Sequence, residues 1–233
     1  MSARGIVGIG LRPTYVPVAV DLVQLRQEYA DAGLSEGDLA ADPMEQFGAW
    51  FAAWRDVAVG EPDAMVVSSA TPGGRPSVRM VLLRRFGPEG FVFFTNRDSR
   101  KGRELADNPR AALLFPWHPV GRQVIVEGAV APSDDEASDA YWVTRARGSQ
   151  MAASASPQSQ VVPDRRALER LFDEVARRHE GGPVPRPGHW GGLCVSPDRI
   201  EFWQHRENRL HDRLVYRPDI TGSSDWRIER LAP

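Results

Sequence analysis

Cysteine is almost missing from this sequence, which contains one in 233 residues. A single thiol excludes an intramolecular disulfide framework and is typical of a protein from a reducing compartment. Cys194 lies between Leu193 and Val195. This apolar run predicts a small buried side chain and not a reactive nucleophile.

Long apolar runs and an excess of one charge are also missing. No stretch approaches the roughly 20 residues that a membrane-spanning helix requires. The N-terminus lacks the charged-then-apolar pattern of a signal peptide, so we expect a cytoplasmic protein. Because 29 basic residues nearly balance 31 acidic ones, no global field favours a nucleic acid or a membrane as partner.

Common catalytic signatures are absent too. The sequence has no glycine-rich dinucleotide fingerprint, no Walker A loop and no serine nucleophile elbow. Its five histidines are scattered, and neither they nor the cysteine show the spacing of a metal site, so no metal is expected.

What the chain does contain is a series of seven or eight short strand patterns, beginning near Met65 and separated by turn residues. Helical patterns are inserted or flanking, but strands and helices do not alternate as in a parallel sheet. These patterns predict a mainly β fold with flanking helices (α+β), best described as a small antiparallel β-barrel. We expect an N-terminal arm at 1–41, with a helix at 22–32 and a linker at 33–41, before a single domain at 42–233.

The predicted domain opens with a clear helix start, Asp42 as N-cap followed by Pro43. Met44, Phe47, Trp50, Phe51 and Trp54 then recur at helical spacing, which predicts a core-facing stripe. Residues 133–136 resemble a second capping box, opening a helix to about Arg147. Composition alone favours a polar linker at 148–162, and 164–179 is an amphipathic helix. Three or four strands are expected at the end, at 192–195, 199–204, 213–216 and 226–231.

The segment from Arg79 to Arg103 carries the first candidate site. It reads as a hairpin, with Val81–Leu83 and Phe91–Phe94 as strands and a turn at 87–90, followed by the basic start of a helix. Arg97, Arg100, Lys101 and Arg103 surround Ser99, a good N-cap. Free N–H groups and cations at a helix N-terminus suit an anion such as phosphate, and Arg79 on the preceding strand can reach the same anion. The alternative is a solvated basic helix face.

A second candidate site lies near the C-terminus. On an extended segment Arg209, His211 and Arg213 point to one face, because side chains alternate along a strand. Trp203 lies just upstream, and an aromatic plane beside cations suits a flat anionic heterocycle. The alternative is a charged edge strand that faces solvent.

The order of motifs resembles the pyridoxine/pyridoxamine 5′-phosphate oxidases, flavoproteins of the split-barrel class. The resemblance runs from about Leu25 to Pro233. Its motifs are LRQEY (25–29), DPMEQF (42–47), RMVLLR (79–84), FFTNRDSRKGREL (93–105), LLFPWH (113–118), RQVIVEG (122–128), QSQ (158–160), HWGG (189–192), IEFWQ (200–204), RLHDR (209–213) and ERLAP (229–233).

The resemblance implies an antiparallel split β-barrel that binds FMN and forms a homodimer with both flavin sites at the interface. The implied FMN contacts are Arg79, Met80, Val81, Leu82, Leu83, Arg84, Phe94, Thr95, Arg100, Lys101, Gln123, Gln158, Ser159, Trp203 and Arg213. The implied substrate contacts are Arg84, Tyr141, Arg145 and Ser149 for the phosphate, and Arg209 and His211 near the pyridine ring, where they act in catalysis. Arg26 and Tyr29 match an N-terminal segment that can cover the site.

The reaction that the resemblance implies is oxidation of pyridoxamine or pyridoxine 5′-phosphate by O2 to pyridoxal 5′-phosphate and hydrogen peroxide. Two departures stand out. Arg84 replaces the family's usual lysine, and Ala152-Ala153-Ser154 replaces the usual Gly-Ala-Trp. Three alternatives stay open: a related oxidase of phenazine biosynthesis, a non-catalytic module that binds flavin or pyridoxal phosphate, and a split-barrel reductase that uses another flavin or a deazaflavin.

Overall fold

The computed structural model describes residues 33–219 and 226–233. The predicted helix at 22–32, with Arg26 and Tyr29, lies outside these residues. The strands are β1 Ala64–Ala70, β2 Pro76–Leu82, β3 Arg85–Gly87, β4 Gly90–Asn96, β5 Arg110–Phe115, β6 Arg122–Pro132, β7 Trp190–Gln204, β8 Asp212–Pro218 and β9 Trp226–Arg230. The α-helices are α1 Pro43–Arg55, α2 Arg100–Asp107, α3 Asp135–Thr144, α4 Arg147–Ala155 and α5 Arg165–Arg178, with 3₁₀ turns at Glu36–Asp38, His118–Val120 and Glu207–Arg209.

All described strands join one antiparallel sheet, which confirms the predicted class. The order is β2-β1-β5-β6-β7-β4-β3, and β8 pairs with β7 and then with β9. Strand β7 holds the sheet together, because its first half pairs with β4 and its second half with β8, while β6 runs along its other side.

The prediction of two strands at 192–195 and 199–204 was wrong, since both belong to β7. Ser196 and Pro197 look like a turn, but the proline is accommodated at a register shift opposite Glu127 and Gly128. A bulge of this kind tolerates proline inside a sheet. Gly128 is required there, because a Cβ atom would overlap the carbonyl oxygen of Ser196.

The core is aromatic, and α1 supplies much of it. Phe47 is fully buried and packs edge-on against Phe91 and Phe115, each at a centroid distance of 4.9 Å. Trp50 is buried as well, and Met44, Phe51 and Trp54 pack partly buried against the same cluster. The predicted core stripe of α1 is therefore confirmed, and so is its N-cap, because the Asp42 side chain accepts from the Met44 N–H at 2.8 Å.

Several local predictions need correction. The hairpin at Gly87–Gly90 joins only β3 to β4, because Val81 and Leu82 belong to β2 and pair with β1. Helix α3 is capped by Asp134 and not by Ser133, and it ends at Thr144. The polar segment after it is not a linker throughout, because alanines and serines form α4. Alanine has the highest helix propensity, and composition obscured this.

The segment 33–41 is tied to the barrel. Leu34 is buried, the Tyr216 hydroxyl donates to the Ala40 carbonyl at 2.6 Å, and Arg230 pairs with Glu36 at 2.9 Å. Cys194 is only partly buried, and burial is the main cause that raises the pKa of its thiol. A raised pKa disfavours the nucleophilic thiolate.

Within the described residues, no helix combines the length and apolar character needed to cross a membrane.

Candidate active site

A cavity of about 780 Å³ is lined by most of β2, the end of β4, the start of α2, and helices α3 and α4 with the loop that follows them. It brings together most of the predicted site residues, which come from both sides of the sheet edge. The predicted residues that line it are Arg79, Met80, Val81, Leu82, Arg84, Phe94, Thr95, Arg100, Lys101, Tyr141, Arg145, Ser149, Gln158 and Ser159.

One end of the cavity is built by the first turn of α2. The buried Ser99 hydroxyl accepts from the Gly102 N–H at 3.2 Å, so the predicted N-cap is confirmed. Gly102 allows this turn to press against the end of β4, where a Cβ would overlap the Arg97 carbonyl oxygen. Lys101 is thereby directed to Thr95 Oγ1 at 2.8 Å and Gln158 Oε1 at 3.1 Å.

Arg79, Arg100 and Lys101, here named the cationic cradle, share this end of the cavity. Burial, and secondly the charge of Arg79, lower the pKa of Lys101 to about 8. Its acceptors among the described residues are neutral oxygens, so its charge is not balanced locally. Such an arrangement favours an anionic ligand, as a phosphate would be.

Beneath the cradle lies Glu104, which sequence reasoning missed as a site residue. Its carboxylate accepts from Arg100 Nε at 2.8 Å and from Arg79 Nη2 at 3.3 Å. The spacing of four between Arg100 and Glu104 was a visible signal of their pairing. The contact with Arg79 comes from another strand and left no local signal.

The other end of the cavity carries a second pair of cations. Arg84 Nη1 lies 2.6 Å from Asp63 Oδ2, and its guanidinium is 5.8 Å from the Tyr141 ring. Arg145 lies 4.9 Å from the ring of Trp190, and its buried Nε has no hydrogen-bond partner among the described residues. An unpaired buried donor is costly, so this group is suited to bind an acceptor on a ligand.

An aromatic wall connects the two ends. Phe94 stacks on Tyr141 at 4.2 Å and on Trp190 at 5.4 Å, with interplanar angles of 21° and 10°. Trp190 was not predicted as a site residue, although it lies in the HWGG motif. Ala152 and Ala153 also line the cavity, so the unusual small residues here leave open space.

The loop after α4 also belongs to the site. Gln158 contacts Lys101, and Ser159 has φ of +71°, a left-handed conformation that is unusual for a residue other than glycine. Strained backbone of this kind is often found at functional sites.

A second group of predicted residues lies apart from the cavity lining. Gln123 of β6 is the register partner of Trp203 in β7, and the Trp203 and His211 rings are 4.7 Å apart. Arg213 pairs with the buried Glu201 at 2.7 Å. The exposed Arg209 has φ of +65°. These residues therefore form their own cluster, near the end of β7 that is far from Trp190.

Leu83, which the resemblance implied as an FMN contact, and the basic residues Arg97 and Arg103 do not line the cavity. Leu83 is buried in the core, and Arg97 packs its guanidinium against Gly191. Arg103 donates to the Asp98 carbonyl. Arg97 and Arg103 therefore do not line the cavity as the sequence suggested. No group of three or more His, Cys, Asp or Glu in residues 33–219 and 226–233 could hold a metal ion.

Comparison with known proteins decides the family. A family profile described as pyridoxamine 5′-phosphate oxidase matches residues 38–179. The chain belongs to the pyridoxamine 5′-phosphate oxidase family. A second profile, described as the pyridoxine 5′-phosphate oxidase C-terminal dimerisation region, matches residues 190–233.

Curated relatives within this family are similar over almost their whole length. The pyridoxine/pyridoxamine 5′-phosphate oxidase of Rubrobacter xylanophilus is 54% identical, covering 91% of this chain and 97% of the relative. The protein of that name from Streptomyces avermitilis is 49% identical, covering 91% and 96%.

Two solved structures share the fold. PhzG from Burkholderia lata, solved with tetrahydrophenazine-1-carboxylic acid, has a TM-score of 0.79 and 32% identity, covering 87% of this chain and 99% of that one. An FMN-binding protein from Nostoc punctiforme, described as related to pyridoxamine 5′-phosphate oxidase, has a TM-score of 0.65 at 17% identity, covering 84% and 100%.

Proposed function

We propose that this chain is an FMN-dependent oxidase of pyridoxamine 5′-phosphate, pyridoxine 5′-phosphate or both. The products are pyridoxal 5′-phosphate and hydrogen peroxide; with the amine, one water is also consumed and ammonia is released. The observation that carries the proposal is a single cavity with cations at both ends and an aromatic wall between them. Two phosphate-bearing aromatic molecules, one cofactor and one substrate, match that arrangement.

The cradle end fits the phosphate of FMN. Arg79, Arg100 and Lys101 supply the charge, and Thr95 and Gln158 hold the lysine in place. A single phosphate site of this kind, without a dinucleotide fingerprint, favours the mononucleotide. When bound, FMN would accept a hydride equivalent from the substrate carbon that carries the amine or alcohol, and O2 would reoxidise it.

The Arg84 and Arg145 end fits the phosphate of the substrate. Tyr141 and Ser149 line the same part of the cavity and can add hydroxyl donors. The unpaired Nε of Arg145 gains an acceptor when a phosphate is bound. Charge-assisted bonds of this type are about twice as strong as neutral ones. The chain thereby holds the substrate by its phosphate and gains rate chiefly through proximity.

A homodimer would complete the site. Val78 and Met80 line the cavity two positions apart on β2 and are each 68% exposed, so they present an apolar patch to solvent. The family profile that matches the C-terminal part is described as a dimerisation region. We propose that a second copy covers this strand and brings the cluster of Trp203, Arg209 and His211 to the cavity, where Arg209 and His211 orient the pyridine ring.

Purification tests the proposal directly. The protein should be yellow, release FMN and not the adenine dinucleotide, and consume O2 with either phosphorylated substrate while forming hydrogen peroxide. The double variant Arg79→Ala with Lys101→Ala should lose the flavin. A fully flavinated double variant would refute the cradle assignment. A monomer by light scattering that keeps flavin and turns over would refute the dimer.

A phenazine-type oxidase is the second candidate. The similarity to PhzG over 87% of the chain favours it, as does the open space beside Ala152 and Ala153. A tricyclic acid has no phosphate, so its oxidation would be insensitive to loss of Arg84. Activity on a reduced phenazine carboxylic acid, without activity on the phosphorylated vitamers, would establish this alternative.

A further inference from the structure

Glu104 is an ionised carboxylate buried at the base of the cationic cradle. Only 5% of the residue is exposed. Its Oε2 accepts from the hydroxyls of Ser69, at 2.6 Å, and Ser77, and from Arg79, while Oε1 accepts from Arg100. Burial raises the pKa of the Glu104 carboxyl, but hydrogen bonds from Ser69, Ser77 and Arg100 outweigh burial and lower it to about 2.

Four hydrogen bonds fix the guanidinium of Arg79. Nη1 donates to Ser69 Oγ at 2.7 Å and to the Val67 carbonyl at 3.3 Å. Nη2 donates to Ser77 Oγ at 2.5 Å and to Glu104 at 3.3 Å. All four terminal N–H bonds are therefore used, and among the described residues Nε–H is the donor left for a ligand. A fixed guanidinium loses less conformational entropy when it binds.

The cationic cradle and Glu104 together carry an excess of positive charge. Three cations, Arg79, Arg100 and Lys101, face one carboxylate, so the net charge is about +2. A phosphate monoester carries roughly −1.5 to −2 at neutral pH. The cradle would therefore be close to neutral when a phosphate dianion is bound, and without Glu104 it would be over-charged and loosely held.

We propose that Glu104 is a positioning residue for the phosphate of the cofactor. It orients Arg79 and Arg100 through both carboxylate oxygens and sets the excess charge of the cradle to that of a dianion. This inference rests on the FMN site proposed above. The competing explanation is purely structural: Glu104 ties α2 to β1 and β2, and the phosphate does not depend on it.

Comparison of FMN with riboflavin separates the two explanations, because riboflavin is the same ring system without the phosphate. The measured quantity is the ratio of the riboflavin Kd to the FMN Kd, obtained by fluorescence titration of flavin-free protein. Damage to the fold weakens both ligands and leaves the ratio unchanged. Loss of phosphate positioning weakens FMN alone and lowers the ratio.

Glu104→Gln is the first variant. The amide keeps the shape but presents one acceptor and one donor, so either Arg100 or the group formed by Ser69, Ser77 and Arg79 faces a donor. We expect the ratio to fall at least tenfold, about 1.4 kcal/mol of phosphate-specific affinity. A ratio that is unchanged or raised overturns the proposal, and a raised ratio shows that Glu104 merely opposes the phosphate by its charge.

Glu229→Gln is the matched control, because Glu229 also bridges two arginines, Arg217 and Arg227, each at 3.3 Å, outside the cavity. Its ratio should equal that of the unaltered protein. If Glu104→Gln cannot be purified, Ser77→Ala removes one of the two hydroxyls that link Arg79 to Glu104 and leaves the carboxylate paired with Arg100 and Ser69. We expect the ratio to fall there too, by a smaller factor, and an unchanged ratio overturns the proposal.

The unaltered protein distinguishes this failure from failure of the proposed function. If it shows no preference for FMN over riboflavin, the flavin assignment itself is wrong. If it prefers FMN and Glu104→Gln keeps that preference, the flavin assignment stands and the role of Glu104 is refuted.

Discussion

The backbone N–H of Arg206 donates a hydrogen bond to Nδ1 of His211 at 3.1 Å. A backbone amide can only donate, so Nδ1 is unprotonated and the proton of the neutral ring lies on Nε2. Burial first, and then the charges of His205 and Arg209, lower the pKa of His211 below its usual value. We expect His211 to be a neutral hydrogen-bond donor in catalysis and not a proton acceptor.

Long-range ¹H–¹⁵N NMR on labelled protein tests this prediction, with the His211→Asn variant to assign the signal. One protonated and one unprotonated ring nitrogen, with the proton on Nε2, are expected at neutral pH. A ring protonated at both nitrogens at pH 7, or protonated at Nδ1, would contradict the prediction.

Arg84 should be a working substitute for lysine at the substrate end of the cavity. Its guanidinium pairs with Asp63 and lies near Tyr141, so it is held at the cavity wall. Arg84→Lys should keep kcat/KM within about tenfold, roughly 1.4 kcal/mol. Arg84→Ala should raise KM well beyond tenfold while flavin stays bound.

Arg85→Ala is the control for this series, since Arg85 pairs with Glu89 and does not line the cavity. Its kinetics should match those of the unaltered protein. A natural protein that is inactive and becomes an oxidase only on Arg84→Lys would show that the arginine marks lost function.

Lys101 should make FMN binding depend on pH. Its pKa is about 8 in the flavin-free fold and 10.5 ordinarily. Between pH 8 and pH 10.5 Lys101 is more fully protonated in the unfolded chain than in the folded one. The free energy of unfolding of the flavin-free protein therefore gains a contribution that rises with pH. A bound phosphate favours the charged lysine, so FMN affinity should fall above pH 8.

Calorimetry of FMN binding at pH 8.5 in buffers of different ionisation enthalpy measures the expected proton uptake. Riboflavin, which lacks the phosphate, should show less uptake, and Lys101→Met should abolish the difference. Equal uptake by the two flavins would refute the assignment of Lys101 to the phosphate.

Gly102 should tolerate no side chain. A Cβ there would overlap the Arg97 carbonyl oxygen, so Gly102→Ala must displace the first turn of α2 and with it Arg100 and Lys101. We expect a loss of about 1–3 kcal/mol in the free energy of unfolding, together with weaker FMN binding. Urea denaturation and flavin titration measure the two effects.

Gly148→Ala provides the comparison, because no atom lies within 4 Å of a Cβ built at Gly148 in α4. Alanine there should be neutral or stabilising by up to ~1 kcal/mol. Equal destabilisation by the two substitutions would show that the overlap at Gly102 is relieved at little cost.

Features that depend only on residues close by in the sequence were predictable. The caps at Asp42 and Ser99 were predicted and are confirmed, because each is set by residues within one turn. The prediction of two strands at 192–195 and 199–204 was wrong, because only the pairing with β6 shows that Pro197 lies at a bulge within one strand. Helix α4 was missed since its small residues carry no apolar stripe.

The candidate site was predictable in part. Arg100, Lys101 and Arg79 were recognised as a convergent group, and the structure brings them together. The buried contact of Glu104 with Ser69 joins residues 35 positions apart, and nothing in either local sequence indicates it. The sequence indicated two candidate sites, but their separation within one chain could not be predicted, because the resemblance implied a dimer and gave no distances.

Strand β7 has a genetic consequence if the proposed dimer forms. It contains 15 residues, a contour of about 50 Å at roughly 3.3 Å per residue, with Trp190 at one end and Trp203 near the other. A mutation near each end would then damage a different half of every site. Two alleles that are impaired alone, such as Arg84→Ala and His211→Asn, should complement each other in one cell, because a mixed dimer assembles one intact site from the two undamaged halves.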